Sequence, residues 1–211
     1  MRRTRPWGWT VAIVALGAWS VVTGCSSSHS NADPGSANTV VLPAEAMPPD
    51  PCSLLTTDQV SAALGQRVRE GVGGDIALTP FGQRVCFWNG GNSMVTLMVQ
   101  TDAGTAAAFS SLNGAPSGIA QSFDGVASPV AQQYETWTSA LRGSTTDVAG
   151  LGDRAKMQAS GTSPSVFVLA GHTLLKLDFT DGPVGGEKWL VPLAQQAVNA
   201  LPARATTTTG G

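Results

Sequence analysis

The chain has 211 residues, of which only 12% are charged, and its 12 Lys and Arg stand against 14 Asp and Glu. This length accommodates one domain of ordinary size together with polar or processed ends. Arg2, Arg3 and Arg5 are the only charged residues among the first 24, so the remainder carries nine bases and 14 acids. No basic run or stripe follows, which argues against a nucleic-acid-binding protein.

The first 24 residues have the pattern of an export signal. The three arginines precede an apolar stretch over 7–22, and its 16 residues are fewer than the roughly 20 that a membrane-spanning helix needs. The adjacent Arg2 and Arg3 invite a twin-arginine interpretation. However, Arg5 and Pro6 fall where a twin-arginine signal has apolar residues. The pattern therefore favours a signal peptide over 1–24 that directs the protein to the general secretion route.

Residues 22–25 read Val-Thr-Gly-Cys and resemble the lipobox of bacterial lipoproteins. The resemblance implies that Cys25 receives a thioether-linked diacylglycerol and becomes the mature N-terminus, anchored at the extracytoplasmic face of the cell membrane. Two or more acyl chains, palmitate among them, give stable anchoring, whereas one chain binds only marginally. The alternative is an ordinary cleaved signal with a chance cysteine at its end.

The domain plan that follows has three parts. Residues 25–49 are rich in Ser, Asn, Pro and Ala, which predicts a disordered tether. His29 in this tether is interpreted as a solvated imidazole without function. A single folded domain is predicted over 50–203, followed by a disordered tail over 204–211.

The domain opens with a predicted helix over 57–64, and four local signals agree on it. A Thr-x-x-Gln capping box marks its first turn, apolar residues before the cap and at N4 form a hydrophobic staple, and a glycine ends it. The residues concerned are Leu55, Thr56, Gln59, Val60 and Gly65.

The three cysteines of the chain predict one disulfide bond. Export leads to an oxidising compartment, and once Cys25 carries lipid only Cys52 and Cys86 remain to pair. The bridge would close a loop of about 35 residues and contribute roughly 4 kcal/mol on the chain-entropy model. The alternative is two free thiols as a redox or metal pair, but the sequence has neither a Cys-x-x-Cys motif nor a nearby His.

Two β-hairpins are predicted from alternating apolar runs around turn residues. The first joins 84–88 to 93–100 through Asn-Gly-Gly-Asn, and the second joins 164–169 to 173–180 through Ala-Gly-His. Three residues of the first hairpin are candidate ligand-facing side chains, although core packing is the competing interpretation for each. They are Trp88, Met94 and Met98.

The segments outside the hairpins are predicted to form a loop, a helix and further strands. The segment 66–83 contains Arg-Glu-Gly-Val-Gly-Gly-Asp, whose glycines resemble those of a phosphate-binding loop. Such a loop connects a strand to a helix, and neither is predicted around this segment. A turn or loop without phosphate binding is therefore predicted. Asp102 is expected to cap a helix over 103–112. Strand-like pieces are expected at 123–130 and 134–139, and a strand at 155–158.

The C-terminal helix is predicted over 187–201, because its apolar residues recur at spacings of three, four and seven. Pro192 is expected to fall in the first turn, so that the regular helix begins near Trp189.

Several of these motifs together resemble a family of actinobacterial surface lipoproteins of unknown function. The resemblance is carried by Pro-Cys-Ser-Leu-Leu-Thr at 51–56, Cys-Phe-Trp at 86–88, Val-Ala-Gly-Leu-Gly-Asp at 148–153, and the lipobox. It implies an envelope-anchored α+β domain without an assigned activity or site. The pattern of elements predicts the same class: an antiparallel sheet of hairpins with helices at the two ends and one disulfide.

The sequence contains no recognisable catalytic or metal-binding motif: Gly-x-Ser-x-Gly is absent, and His172 is the only histidine after residue 29. His172 is interpreted as an exposed turn residue, because a catalytic role would need an orienting acid and a nucleophile that the sequence does not place. No cofactor is expected. The leading hypothesis is a binding module for a lipid, glycan, peptide or envelope partner. The alternatives are an accessory subunit of an envelope complex and a hydrolytic enzyme.

Overall fold

The computed structural model describes residues 46–74, 82–111, 127–141, 145–182 and 185–202. All of these lie in one compact unit, Ser36–Gly211. None of the helices in these ranges is long and apolar enough to cross a membrane. The predicted signal peptide, Cys25 and His29 lie outside the described residues, as does the predicted tail.

The described strands form one antiparallel seven-stranded sheet in the order β1-β2-β3-β7-β6-β5-β4. The α+β class, the helices at both ends of the domain and the disulfide are therefore confirmed. The strands are β1 (Val72–Gly74), β2 (Arg84–Gly90), β3 (Ser93–Thr101), β4 (Thr145–Asp147), β5 (Arg154–Gln158), β6 (Ser165–Ala170) and β7 (Thr173–Thr180).

Within the described ranges, five helices cover the two faces of this sheet. They are α1 (Pro51–Leu54), α2 (Thr57–Leu64), α3 (Asp102–Ser111), α4 (Pro129–Ala140) and α5 (Glu187–Asn199). The terminal helices α1, α2 and α5 pack on the face that includes Leu175 and Leu177, where the largest core cluster forms. Helix α4 packs on the opposite face over Phe167 and Leu174, as the alternation of side chains along a strand requires.

The predicted start of the domain is confirmed in its details. Thr56 Oγ1 accepts from the Gln59 N–H at 3.2 Å, and Gln59 Oε1 accepts from the Thr56 N–H at 2.7 Å. Gly65 ends α2 with φ +67°. Cys52 and Cys86 are bonded, so α1 is covalently joined to β2.

The two predicted hairpins form, each with tighter pairing than expected. Gly90 pairs with Ser93, and Ala170 pairs with Thr173, so two residues remain at each turn. In both turns the first of these residues is a glycine with positive φ, the conformation that two-residue hairpins require. The hairpins lie side by side because β3 pairs with β7.

The expected strand-like piece at 134–139 and the end of the one at 123–130 were wrong, since 129–140 is helix α4. Residues 123–126 lie outside the described ranges. Ser128 caps the helix by accepting from the Ala131 N–H at 3.3 Å, and Pro129 occupies the first turn, where proline is favoured. Val130, Tyr134 and Trp137 recur at helical spacing on its buried side.

Four smaller expectations also need correction. The predicted loop at 66–83 contains β1, a short strand at the edge of the sheet. Asp102 is the first residue of α3 and not its cap. The capping oxygen is Thr101 Oγ1, which accepts from the Gly104 N–H. Helix α5 begins at Glu187, which places Pro192 in its second turn. Packing begins before residue 50, because Arg84 donates to the Pro48 carbonyl at 3.1 Å.

Candidate functional site

The pairing of β3 with β7 brings Asp102 and His172 together. Thr101 is the last residue of β3 and faces Thr173, the first residue of β7. One step further along this ladder, the Asp102 N–H donates to the His172 carbonyl at 3.0 Å. The side chains meet as well, since Asp102 Oδ2 lies 2.6 Å from His172 Nδ1.

Asp102 also holds the start of α4. Its Oδ1 atom accepts from the Val130 N–H at 2.9 Å and from Ser128 Oγ at 3.1 Å. The Asp102 side chain is only 17% exposed, whereas the His172 side chain is 74% exposed. Asp102 therefore ties one end of β3 to both α4 and the turn between β6 and β7.

A second carboxylate holds this turn from the other side. Asp153 immediately precedes β5, and its Oδ2 atom accepts from the Gly171 N–H at 2.6 Å. Its own N–H donates to the Leu169 carbonyl at 2.8 Å. Residues 170–173, which we name the hairpin tip, are thus held between Asp102 and Asp153.

The hairpin tip forms one wall of a cleft of about 380 Å³. The end of α5, the residues that follow it and the chain before α1 supply mainly apolar side chains to the cleft. The hairpin tip and its neighbours supply the polar groups. We name this feature the hairpin-tip cleft. Its lining residues are Pro49, Thr101, Asp153, Ala170, Gly171, His172, Thr173, Val198, Leu201 and Pro202.

His172 lies at the rim of this cleft, in the two-residue turn. The orienting acid that the sequence could not place beside it is Asp102, which is 70 positions away in the chain. Sequence reasoning also missed Asp153. Each acid adjoins a strand end, and only the order of strands in the sheet reveals that both reach the same turn.

The three candidate ligand-facing residues separate onto opposite faces of the sheet. Trp88 is 1% exposed and lies in the core cluster under the terminal helices. Met94 and Met98 belong to the other face by strand alternation; Met98 is 9% exposed and Met94 is half-buried. None of the three lines the hairpin-tip cleft.

A second cleft, of about 450 Å³, lies beside Tyr134. Its charged groups are paired: Arg154 contacts Glu135, and Lys156 Nζ lies 2.7 Å from Asp147 Oδ1. Burial raises the pKa of Tyr134, and the nearby Arg154 cation opposes that rise. The charged groups of this cleft are therefore engaged in ion pairs within the protein.

No group of three or more His, Cys, Asp or Glu within the described ranges could hold a metal ion.

No family model matches the chain, and no curated protein matches it significantly.

Proposed function

We propose that this protein is a cell-envelope lipoprotein, anchored to the extracytoplasmic face of the membrane through lipid on Cys25, whose domain binds a small ligand in the hairpin-tip cleft. Membership of the actinobacterial surface lipoprotein family is part of this proposal. The lipobox sequence at 22–25 supports the anchor. The Cys52–Cys86 bond supports an oxidising compartment outside the cytoplasm.

The observation that carries the binding role is the composition of the cleft. Its volume of about 380 Å³ lies within the roughly 300–1,000 Å³ that is usual for small-molecule sites. Such sites combine apolar walls with a few polar groups fixed in position. Here Val198 and Leu201 supply apolar walls, and His172 is one of the polar groups, held in place by Asp102.

The anchor is tested by Cys25→Ser, with Ser26→Ala as the matched control at the next position. We expect the serine variant to lose incorporated acyl chains and to move from the detergent phase to the aqueous phase, while the control stays in the detergent phase. Acyl incorporation into the Cys25→Ser protein would contradict the proposal.

The binding role is tested by a small-molecule screen against the exported, disulfide-bonded Cys25→Ser protein, read by ligand-observed NMR. We expect binders whose signal disappears in Pro202→Trp, because an indole at this exposed position would fill the cleft. Gln196→Ala on the exposed side of α5 is the control and should retain them. Binders that are indifferent to Pro202→Trp would place the site elsewhere.

One observation favours the accessory-subunit alternative. Val72 is 66% exposed on β1, and its cross-strand partner Phe87 is half-buried. Exposed apolar patches of this kind mark partner surfaces when they are large enough. A photo-crosslinking residue at position 72 would capture an envelope protein in whole cells if this alternative holds, whereas the same group at position 196 would not.

A further inference from the structure

The two edges of the described sheet are protected differently. At one edge lies β4, where Asp147 is exposed and its Oδ1 atom lies 2.7 Å from Lys156 Nζ. At the other edge lies β1, which reads Val-Gly-Gly and contains no charged residue. The acids nearest to β1 in the sequence, Glu70 and Asp75, lie outside the strand. Charged side chains on an edge strand oppose the addition of a further strand, so β4 has this protection and β1 lacks it.

The main chain of β1 is accessible and is paired on one side. Within the described ranges β1 pairs with β2 alone. Successive residues of a paired strand direct their N–H and C=O groups alternately towards the neighbouring strand and away from it. Gly73 is exposed, and because it has no side chain, its exposed surface belongs to the main chain. The strand is short, but the chain before it stays beside β2, since the Arg69 N–H donates to the Asn89 carbonyl at 2.8 Å.

Val72 brings a row of apolar side chains to this edge. It is 66% exposed, and its partner across the β1–β2 ladder is the half-buried Phe87. An apolar side chain on an added strand would lie beside Val72, and cross-strand pairs of this kind stabilise sheets. The edge therefore offers a further strand both main-chain hydrogen bonds and an apolar neighbour.

From these features we infer that β1 accepts an additional strand from a partner protein, namely an extended segment in which apolar residues alternate. Main-chain hydrogen bonds to β1 supply the affinity, and contact of an apolar side chain with Val72 supplies selectivity. Because β1 and the hairpin-tip cleft share no residue, this inference goes beyond the proposed ligand site and does not depend on it.

A second copy of the chain fits this edge less well than a partner segment does. Two β1 strands paired with each other would join only Val72–Gly74 of each copy, whereas stable protein interfaces bury about 1,200 Å² or more. A segment of another protein can continue past β1, beside the chain that includes Arg69.

The experiment titrates the exported, disulfide-bonded Cys25→Ser protein with the synthetic peptide acetyl-Lys-Val-Thr-Val-Thr-Val-Lys-amide, followed by backbone amide NMR signals. We expect the signals of Val72 and Gly73 to shift saturably, while the signal of Thr146 on β4 stays unchanged. Two analogues carry N-methyl groups on the valines or on the threonines, so that each lacks the N–H donors of one edge. At least one analogue should bind about tenfold more weakly, because main-chain donors are lost.

Two matched substitutions compare the edges of the sheet. Val72→Ala removes the apolar neighbour and should weaken peptide binding about two- to fivefold, as the loss of a cross-strand pair predicts. Thr146→Ala, in the middle of β4, should leave binding unchanged. Both positions are exposed, so both variants should fold as the parent protein does.

The outcomes are distinct from those for the hairpin-tip cleft. Unchanged Val72 and Gly73 signals at millimolar peptide, or binding of both N-methylated analogues as tight as that of the parent peptide, would overturn the inference. Self-association of the protein that Val72→Ala abolishes would also overturn it, since the occupant of the edge would then be a second copy. In each case the cleft would remain a ligand site, because its own test uses Pro202→Trp.

Discussion

Asp102 and His172 lie directly opposite each other where the β3–β7 ladder ends, and they are joined twice. The Asp102 N–H donates to the His172 carbonyl at 3.0 Å, and Asp102 Oδ2 lies 2.6 Å from His172 Nδ1. Because Asp102 also accepts from the Val130 N–H, one carboxylate connects the hairpin tip to α4. The contacts of Asp102 thus have two separable parts, an exposed one with His172 and a partly buried one with the start of α4.

The two parts are expected to differ in their contributions to stability. Asp102→Ala leaves the Val130 N–H and Ser128 without their acceptor, which should lower the free energy of unfolding by about 1–3 kcal/mol. His172→Ala removes only the exposed contact and should change it by less than about 0.5 kcal/mol. Urea denaturation of the two variants beside the parent protein measures both values. A loss in His172→Ala as large as that in Asp102→Ala would show that the exposed contact dominates.

The disulfide is expected to be a major source of stability. Cys52 and Cys86 are 34 positions apart, and closing a loop of this length contributes about 4 kcal/mol on the chain-entropy model. The double variant Cys52→Ala, Cys86→Ala should lose most of that free energy in denaturant unfolding.

The bond itself can be checked by mass. The parent protein should gain the mass of about two protons on reduction, as one disulfide requires. Alkylation of Cys52 or Cys86 without a reductant would contradict the pairing.

The raised pKa of Tyr134 leads us to predict that the folded state loses stability at high pH. Burial raises its pKa in the folded state, so the folded protein holds the phenolic proton more tightly than the unfolded chain does. The resulting stabilisation is present below the unfolded pKa of about 10 and is lost as the pH rises through the folded value. Tyr134→Phe should remove this part of the alkaline decline in the free energy of unfolding.

The titration can be observed directly, because Tyr134 is the only tyrosine of the chain. Its tyrosinate absorbance should appear at a higher pH in the folded protein than in denaturant. Coincident titrations in the two states would contradict a buried phenol.

Gly152 and Gly150 provide a matched pair beside the hairpin tip. Both have positive φ, +64° and +76°, so alanine at either position costs about 1–2 kcal/mol of backbone strain. A Cβ at position 152 would in addition lie 2.6 Å from the Leu169 carbonyl oxygen, whereas one at position 150 meets nothing within 4 Å. Gly152→Ala should therefore lower the melting temperature more than Gly150→Ala does. Equal shifts would show that the close approach to Leu169 is absent.

Local sequence signals predicted the elements that are determined by local physics. The Thr56–Gln59 capping box and the Gly171 turn depend on residues a few positions apart, and both are present. Helix α4 was not predicted, although Ser128, Pro129 and its apolar spacing were visible; strand-like pieces were expected there instead. Tyr, Trp and Thr, which this helix contains, are residue types that strands favour. For α4 the sequence therefore contained the helix signals, and the strand interpretation was wrong.

The candidate site could not be predicted in the same way. Asp102 and His172 are 70 positions apart, and nothing near either residue indicates the other. Their contact depends on the pairing of β3 with β7. An alternation of apolar and polar residues predicts that a segment is a strand, but it does not specify which other strand it pairs with. Asp153 reaches the same hairpin tip only because β5 pairs with β6.

The binding role of the hairpin-tip cleft is tested most directly by native mass spectrometry of the exported Cys25→Ser protein, beside the same protein carrying Pro202→Trp. We predict that the first retains an additional small-molecule mass that leaves on collisional activation, and that the cleft-filling variant does not. A bare polypeptide mass in both proteins, or the same adduct in both, would contradict a ligand site in this cleft.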